Sequence, residues 1–280
     1  MCRRRGTLII TADDFGLATE VNEAVERAHC SGILTAASLM VGASAAGDAV
    51  ARAHKLKTLR VGLHVTLVDG APTSPLSNIP DLLDGEQFRR DLARLGVEIA
   101  CRPSVRHQLR AEITAQFEAF VATGLPLDHV NAHAHYHIHP IVAAEIISIG
   151  RRYGLRAMRV PREPIGMLAS IEAGVKPQPR TVDFFVGLLA SRARNATLLA
   201  PTSVFGWAWS GAMTKKRLLG LLQGAPDGIT EIYTHPAVVD HFVGHASGYG
   251  YRQEFDALCA PETIEAARSS RLLLGGYGDA

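Results

Sequence analysis

Five histidines stand within eleven residues of this chain, at positions 129, 133, 135, 137 and 139. Each buried imidazole needs a polar partner, so packing does not account for such a run. At least one of the five is expected to bind a metal or take part in catalysis. The others must support it, face substrate or stand exposed, because a metal site has room for few ligands. Three other polar clusters accompany the run: Thr11 to Gly16, with the adjacent carboxylates Asp13 and Asp14; Gly62 to His64; and Thr234 to Pro236, with His235. Taken singly they are ordinary. Adjacent aspartates commonly form a turn or a helix cap, a strand histidine is commonly a hydrogen-bonded core residue, and a histidine before proline is ambiguous.

Taken together they suggest a reaction. Two neutral imidazoles and one carboxylate leave a position open on a tetrahedral ion. Water in that position reaches a pKa of about 7 in good zinc sites. A second carboxylate can accept the water's proton, and an acid must protonate a departing amine, which is otherwise a very poor leaving group. Asp14, Asp13 and His235 suit those tasks in that order, as ligand, base and acid.

The elements that must position these groups alternate between strand and helix. Residues 7–12 read as a buried strand. Val21, Ala24, Val25 and Ala28 follow helical spacing, and Gly32 can end that helix. Residues 33–41 read as the next strand and 45–54 as helical. In 59–67, Val61, Leu63, Val65 and Leu67 share one face and His64 takes the other. A helix is expected from a Ser104 cap to Gly124, then a strand over 127–132, then a helix opened by Pro140 and ended by Gly154. Residues 156–160, 229–234 and 272–274 read as further strands. Repeated β-α units imply parallel strands under covering helices. The length suits one distorted (β/α) TIM-like barrel domain over 1–280, and no glycine-rich dinucleotide or phosphate loop follows the first strand. In a barrel, all four polar clusters would meet at the C-terminal ends of the strands. The stretch 163–214, with Phe184, Phe185, Trp207 and Trp209, breaks the alternation and reads as an irregular apolar insertion or lid.

Bulk properties narrow the partners. The 280 residues are 47% hydrophobic and 20% charged, as in ordinary globular proteins. The net charge of +2 gives no argument for nucleic acid, and Arg3-Arg4-Arg5 reads as a short solvated run. Four cysteines, at 2, 30, 101 and 259, lack metal-ligand spacing and fit a reduced cytosolic protein.

The segments TADDFGL, GLHVTL, DHVNAHAHYHIHP and EIYTHPA, in this order along nearly the whole chain, resemble the YdjC-like carbohydrate deacetylases. That resemblance implies a distorted (β/α) barrel and removal of acetyl groups from N-acetylglucosamine-containing substrates with one divalent ion, zinc or magnesium. It also implies metal ligation by Asp14, His64 and His133, with Asp13 as base, His235 as acid and a homodimeric assembly. Many relatives carry Asp where this chain has Asn131, which keeps hydrogen bonding there but removes a charge. The segments VNEAVERAH, GILTAASLMV, LPLDHVNAH and YGLRAMRVPREP are similar to the subgroup associated with hopanoid biosynthesis. The implied substrate is an N-acetylglucosaminyl hopanoid, met by a cytoplasmic enzyme at the inner face of the membrane. Asn131, His135, His137, Arg159 and Arg252 are further candidates for touching substrate or supporting the site. Rival readings are a chito-oligosaccharide deacetylase, another barrel hydrolase acting on a phosphate ester or cyclic amide, and an inactive carbohydrate-binding relative. The second often carries His-x-His in its first strand, where this chain has two aspartates. The third should lack a base beside the metal, whereas Asp13 is present.

Overall fold

The first strand, β1 (Gly6–Phe15), is buried along nearly its whole length, so it can only be a central strand. Pairing is parallel throughout the main sheet. β2 (Ala36–Leu39) lies on one side of β1, followed by β3 (Arg60–Val65) and β6 (Val130–Ala132). β8 (Gly228–Thr234) and then β7 (Ser203–Phe205) lie on the other side. The short β9 (Leu273–Leu274) pairs beside the start of β1. A separate antiparallel hairpin joins β4 (Leu83–Asp84) to β5 (Gln87–Phe88). The computed structural model describes residues 6–280, so the Arg3-Arg4-Arg5 run and Cys2 lie outside the described residues.

Helices cover the outside of this curled sheet. In α1 (Thr19–Ser31), Val21, Ala24, Val25 and Ala28 are buried, the face that the spacing predicts. After α2 (Ala46–Ala53) and α3 (Leu92–Cys101) comes α4 (Pro103–Ala122), which buries Leu109, Ile113, Phe117 and Phe120. Pro103, not Ser104, opens α4: Arg102 occupies the cap without a side-chain bond, and proline's fixed φ suits the first turn. α5 (Pro140–Gly150) starts on its proline, and the chain turns off at Gly154 with φ 83°.

One expected strand needs correction. Residues 156–160 form no strand; single parallel bridges, Val130–Met158 and Ala157–Leu199, carry the curl onward from β6. Pro161 lacks the N–H that would extend the ladder. Half of the stretch 163–214 is regular secondary structure: α6 (Ile165–Ile171), α7 (Arg180–Asn195) and β7, the edge of the main sheet. α8 (Lys215–Gly224), α9 (Tyr251–Cys259) and α10 (Pro261–Arg268) complete the cover. No helix among the described residues is long and apolar enough to cross a membrane.

The two faces of the sheet differ. Outward residues such as Leu8, Ile10, Leu63 and Val65 join the large apolar core under the helices. The inner face has a small apolar floor of Ile9, Ala36, Ala157 and Tyr277. Above it lie Thr11, Ser38, His129, Asn131, Arg159 and Glu231, all fully buried. Gly62 is required here, because a Cβ would sit 2.5 Å from the His129 ring.

Candidate metal centre and active site

Successive residues of a regular strand face opposite ways. Asp13 and Asp14 escape that rule because the register of β1 against β2 shifts between Ala12 and Phe15, and Asp14 takes φ 60°. A left-handed aspartate in a strand is strained by about 1–3 kcal/mol, a cost found mainly at functional sites. Both carboxylates are consequently buried at one cleft.

Asp14 meets two imidazoles. Its Oδ1 lies 3.0 Å from His133 Nδ1 and 3.2 Å from His64 Nε2. The three ligand atoms lie within 4.8 Å of one another, so these residues can hold a metal ion. The hydrogen bonds around His64 fix its tautomer. Asn131 Nδ2 donates to Asp13 at 3.0 Å and to Ser38 Oγ at 2.9 Å, which leaves its Oδ1 to accept from His64 Nδ1 at 2.7 Å. His64 Nε2 then presents a lone pair to the Asp14 carboxylate. Two acceptors face each other there, an arrangement that a shared cation relieves. Burial pushes the Asp14 carboxyl up, but the charge and hydrogen bond of His133 hold it well below the usual range. Burial would lower His133, yet the Asp14 charge and hydrogen bond outweigh it and raise its pKa.

Asp13 has different company. Arg159 donates to it from Nη1 at 2.5 Å and from Nη2 at 3.0 Å. The same guanidinium binds Glu231 from Nε at 3.0 Å and Nη2 at 2.7 Å, and lies 4.5 Å from the centre of the Tyr233 ring. Burial pushes the Asp13 carboxyl up, but the charge and hydrogen bonds of Arg159 hold it well below the carboxylate range.

The remaining histidines of the run separate sharply. Ala134 and His135 both have positive φ, 51° and 52°, so the chain turns tightly after His133. His135 lines the cleft, bonds Tyr233 Oη at 2.8 Å and stacks on Trp207 at 4.6 Å. Glu163 holds that tryptophan's turn by accepting three backbone N–H groups, from Gly206, Trp207 and Ala208. His137 does not line the cleft; it donates to the Arg159 carbonyl at 3.0 Å. Burial and then Arg159 lower its pKa to about 3. His129 lies beneath, bonded to Ser38 and Asp128. His139 stacks on Tyr136, away from the cleft.

His235 lines the cleft, and its backbone N–H donates to the buried Glu254 at 2.5 Å. Arg252 does not reach the cleft. It is exposed, pairs with Asp256 at 2.9 Å and packs over Phe255, as its helical i,i+4 spacing allows. The cleft encloses about 700 Å³, within the range of small-molecule sites. Of the stretch 163–214, only Trp207 and Ser210 line it, whereas Phe184 is exposed on α7. Glu231, Ser38, Tyr233 and Tyr249 were not singled out by the sequence. A charged residue inside the strand-like run 229–234 is the signal that marks Glu231.

A sequence profile described as YdjC-like protein matches residues 7–269. The chain belongs to the YdjC-like family. A carbohydrate deacetylase of Brevibacillus brevis is 29% identical over 277 residues, covering 97% of this chain and 98% of the relative. One of Geobacillus stearothermophilus is 31% identical over 249 residues, covering 88% of this chain and 84% of the relative. Among solved structures, an Enterococcus faecalis protein described as a candidate cellobiose-phosphate cleavage protein aligns with a TM-score of 0.75 at 22% identity, over 98% of each chain. That likeness concerns the fold: this YdjC-like chain has the same mostly parallel, curled sheet ringed by helices.

Proposed function

We propose that this YdjC-like protein is a carbohydrate deacetylase that hydrolyses the N-acetyl group of an amino sugar with the help of one divalent ion. The observation that carries the reading is the meeting of Asp14, His64 and His133 at one cleft, with Asp13 directly behind them and His235 in the same wall. The names of the curated relatives support the substrate class. The donor set fits a metal, because the lone pair of His64 Nε2 and the Asp14 carboxylate converge. Two imidazoles favour zinc over magnesium. A bound divalent ion would polarise the acetyl carbonyl and lower the pKa of the attacking water.

The chain's own groups handle the protons. Asp13 is held ionised by Arg159, so it is ready to accept the proton of the attacking water. A carboxylate has about four acceptor sites; Arg159 and Asn131 occupy three on Asp13. His235 protonates the nitrogen as the C–N bond breaks, which releases the amine and acetate. Residues of the cleft wall such as Trp207 and Tyr249 offer the flat and hydroxylic surfaces that a sugar ring uses.

As the finer assignment we propose an N-acetylglucosaminyl hopanoid, reached by peripheral contact with a membrane. It follows from the subgroup resemblance, and Leu17, Met40 and the 89% exposed Val243 give the cleft apolar lining for a lipid neck. The test combines metal analysis with acetate release on three substrates: the glycolipid, a short soluble N-acetylglucosaminide and chito-oligosaccharides. Acetate release that disappears on chelation is expected, with catalytic efficiency highest on the glycolipid. A clear preference for chito-oligosaccharides sinks the lipid assignment alone; no acetate from any of the three sinks the deacetylase reading.

A further inference from the structure

The inner face of the barrel is closed from below by a short segment after β9. Tyr277 lies in a single 3₁₀ turn, Tyr277–Asp279, and is 1% exposed. Asp128 accepts from the backbone of Tyr277 at 3.2 Å and of Gly278 at 2.9 Å, and Arg60 pairs with Asp279. The ring packs with Ile9, Ala36 and Ala157 and stacks on His129 at 4.5 Å. Apolar packing accounts for the ring but not for the hydroxyl. That hydroxyl donates to Glu231 Oε2 at 2.5 Å.

Glu231 is the hinge of the argument. Thr11 Oγ1 donates to its Oε1 at 2.7 Å, and Arg159 binds both of its oxygens. The adjacent edge of the guanidinium, Nη1 and the shared Nη2, grips Asp13. Four bonds thus hold a planar group with five N–H donors, and moving Glu231 moves the edge that Asp13 rests on. Two buried carboxylates against one arginine leave an excess negative charge, a poor arrangement for stability alone. The hydroxyls of Thr11 and Tyr277 are what offset it at Glu231.

We propose that Tyr277 is a positioning residue for Asp13, acting through Glu231 and Arg159 from the far end of the barrel. The kinetic part rests on the deacetylase reading above; the spectroscopic part does not. Kinetics of the metal-loaded enzyme would be compared for wild type, Y277F, E231Q and the double variant. Y277F keeps the ring and its stack. It should lower kcat about tenfold with KM and metal content nearly unchanged, the size of effect that outer supports of a site commonly have. In the E231Q background the same change should cost nothing further, because the route runs through Glu231. Separately, Y277F should shift the Arg159 Nε–H resonance in ¹⁵N spectra of the folded, metal-free protein. Unchanged kcat in an active enzyme, losses that multiply in the double variant, or an unmoved Arg159 resonance would each overturn the proposal. So would a Y277F protein that does not fold, since the hydroxyl would then be holding the fold. A wild type without deacetylase activity removes the proposed function and leaves the Arg159 resonance to decide.

Discussion

Asp13 and Asp14 are neighbours in sequence, yet the rim around one and the layer around the other share almost nothing. Asp14 faces two imidazoles, and the His133 side chain is still 22% exposed to the cleft. Asp13 faces a guanidinium that is fully buried and already committed to Glu231. One left-handed residue separates the two environments. The difference concerns what each anion can exchange. Imidazoles can turn their lone pairs to a cation shared with Asp14. Arg159 cannot leave Asp13 without stranding a buried charge, which costs about 3–5 kcal/mol when a partner is removed. The rim is therefore suited to binding an ion, and the layer to holding one carboxylate ionised and still.

The strongest way to break that comparison is to swap the losses. Asp14→Ala should abolish metal binding and reduce deacetylation to background, the largest effect expected of any single change here. On the proposed function, Asp13→Asn should leave the metal in place, because all three proposed ligands survive, but lower kcat by about 10²–10⁴-fold, the usual worth of a general base. Metal content and turnover measured on one preparation of each variant decide the matter. An Asp13→Asn enzyme that loses its metal, or keeps near-normal turnover, would show that the two carboxylates do not divide the work this way.

Much of the rim was legible in the sequence, and much less of the layer. β1, β3 and the Pro140 helix carry periodic patterns that local rules read well, and the polar clusters fall at their ends. The left-handed Asp14 was not legible, because its conformation depends on the β1–β2 register. Residues 156–160 look like a strand by composition, but the interior use of Arg159 and the proline at 161 leave only isolated bridges. Among five similar histidines, sequence could not say which neighbour each would find; His133 meets Asp14 and His137 lies beside Arg159. Glu231 and Tyr277 are separated from Asp13 by more than two hundred residues of chain. Only the parallel pairing of β1 with β8 brings Glu231 beneath it.

A smaller and more selective effect is expected at His235, whose backbone is pinned by Glu254 while the ring lines the cleft. His235→Ala should slow hydrolysis of an N-acetyl amide by about a hundredfold or more, and an activated acetyl ester much less. An amine must be protonated to leave, whereas an acidic phenol leaves without help. Steady-state rates on the two substrates are the measurement. Equal losses would assign His235 to binding or to the shape of the cleft, and the acid would have to be sought elsewhere along the rim.

The smallest effect sharpens the contrast without touching turnover, because rim and layer also pull imidazoles in opposite directions. Burial and then Arg159 lower His137 to about 3 and His135 well below its ordinary value. Asp14 raises His133. For His135 and His137 the unfolded chain takes up protons first, so their contribution to stability is complete above about 6.5 and is lost as pH falls below it. For His133 the contribution is complete below about 6.5 and is lost as pH rises through its raised folded value. Each proton is worth about 1.4 kcal/mol per pH unit. Denaturant unfolding of the metal-free protein should therefore show stability falling between pH 6.5 and 4.5, with His135 and His137 each adding up to about one proton to the slope. His137→Asn should reduce that slope by about one proton and leave the alkaline side alone. His133→Asn should change only the slope above about 6.5. If the two variants exchange these signatures, the charge of the run is set by something other than Asp14 above and Arg159 below.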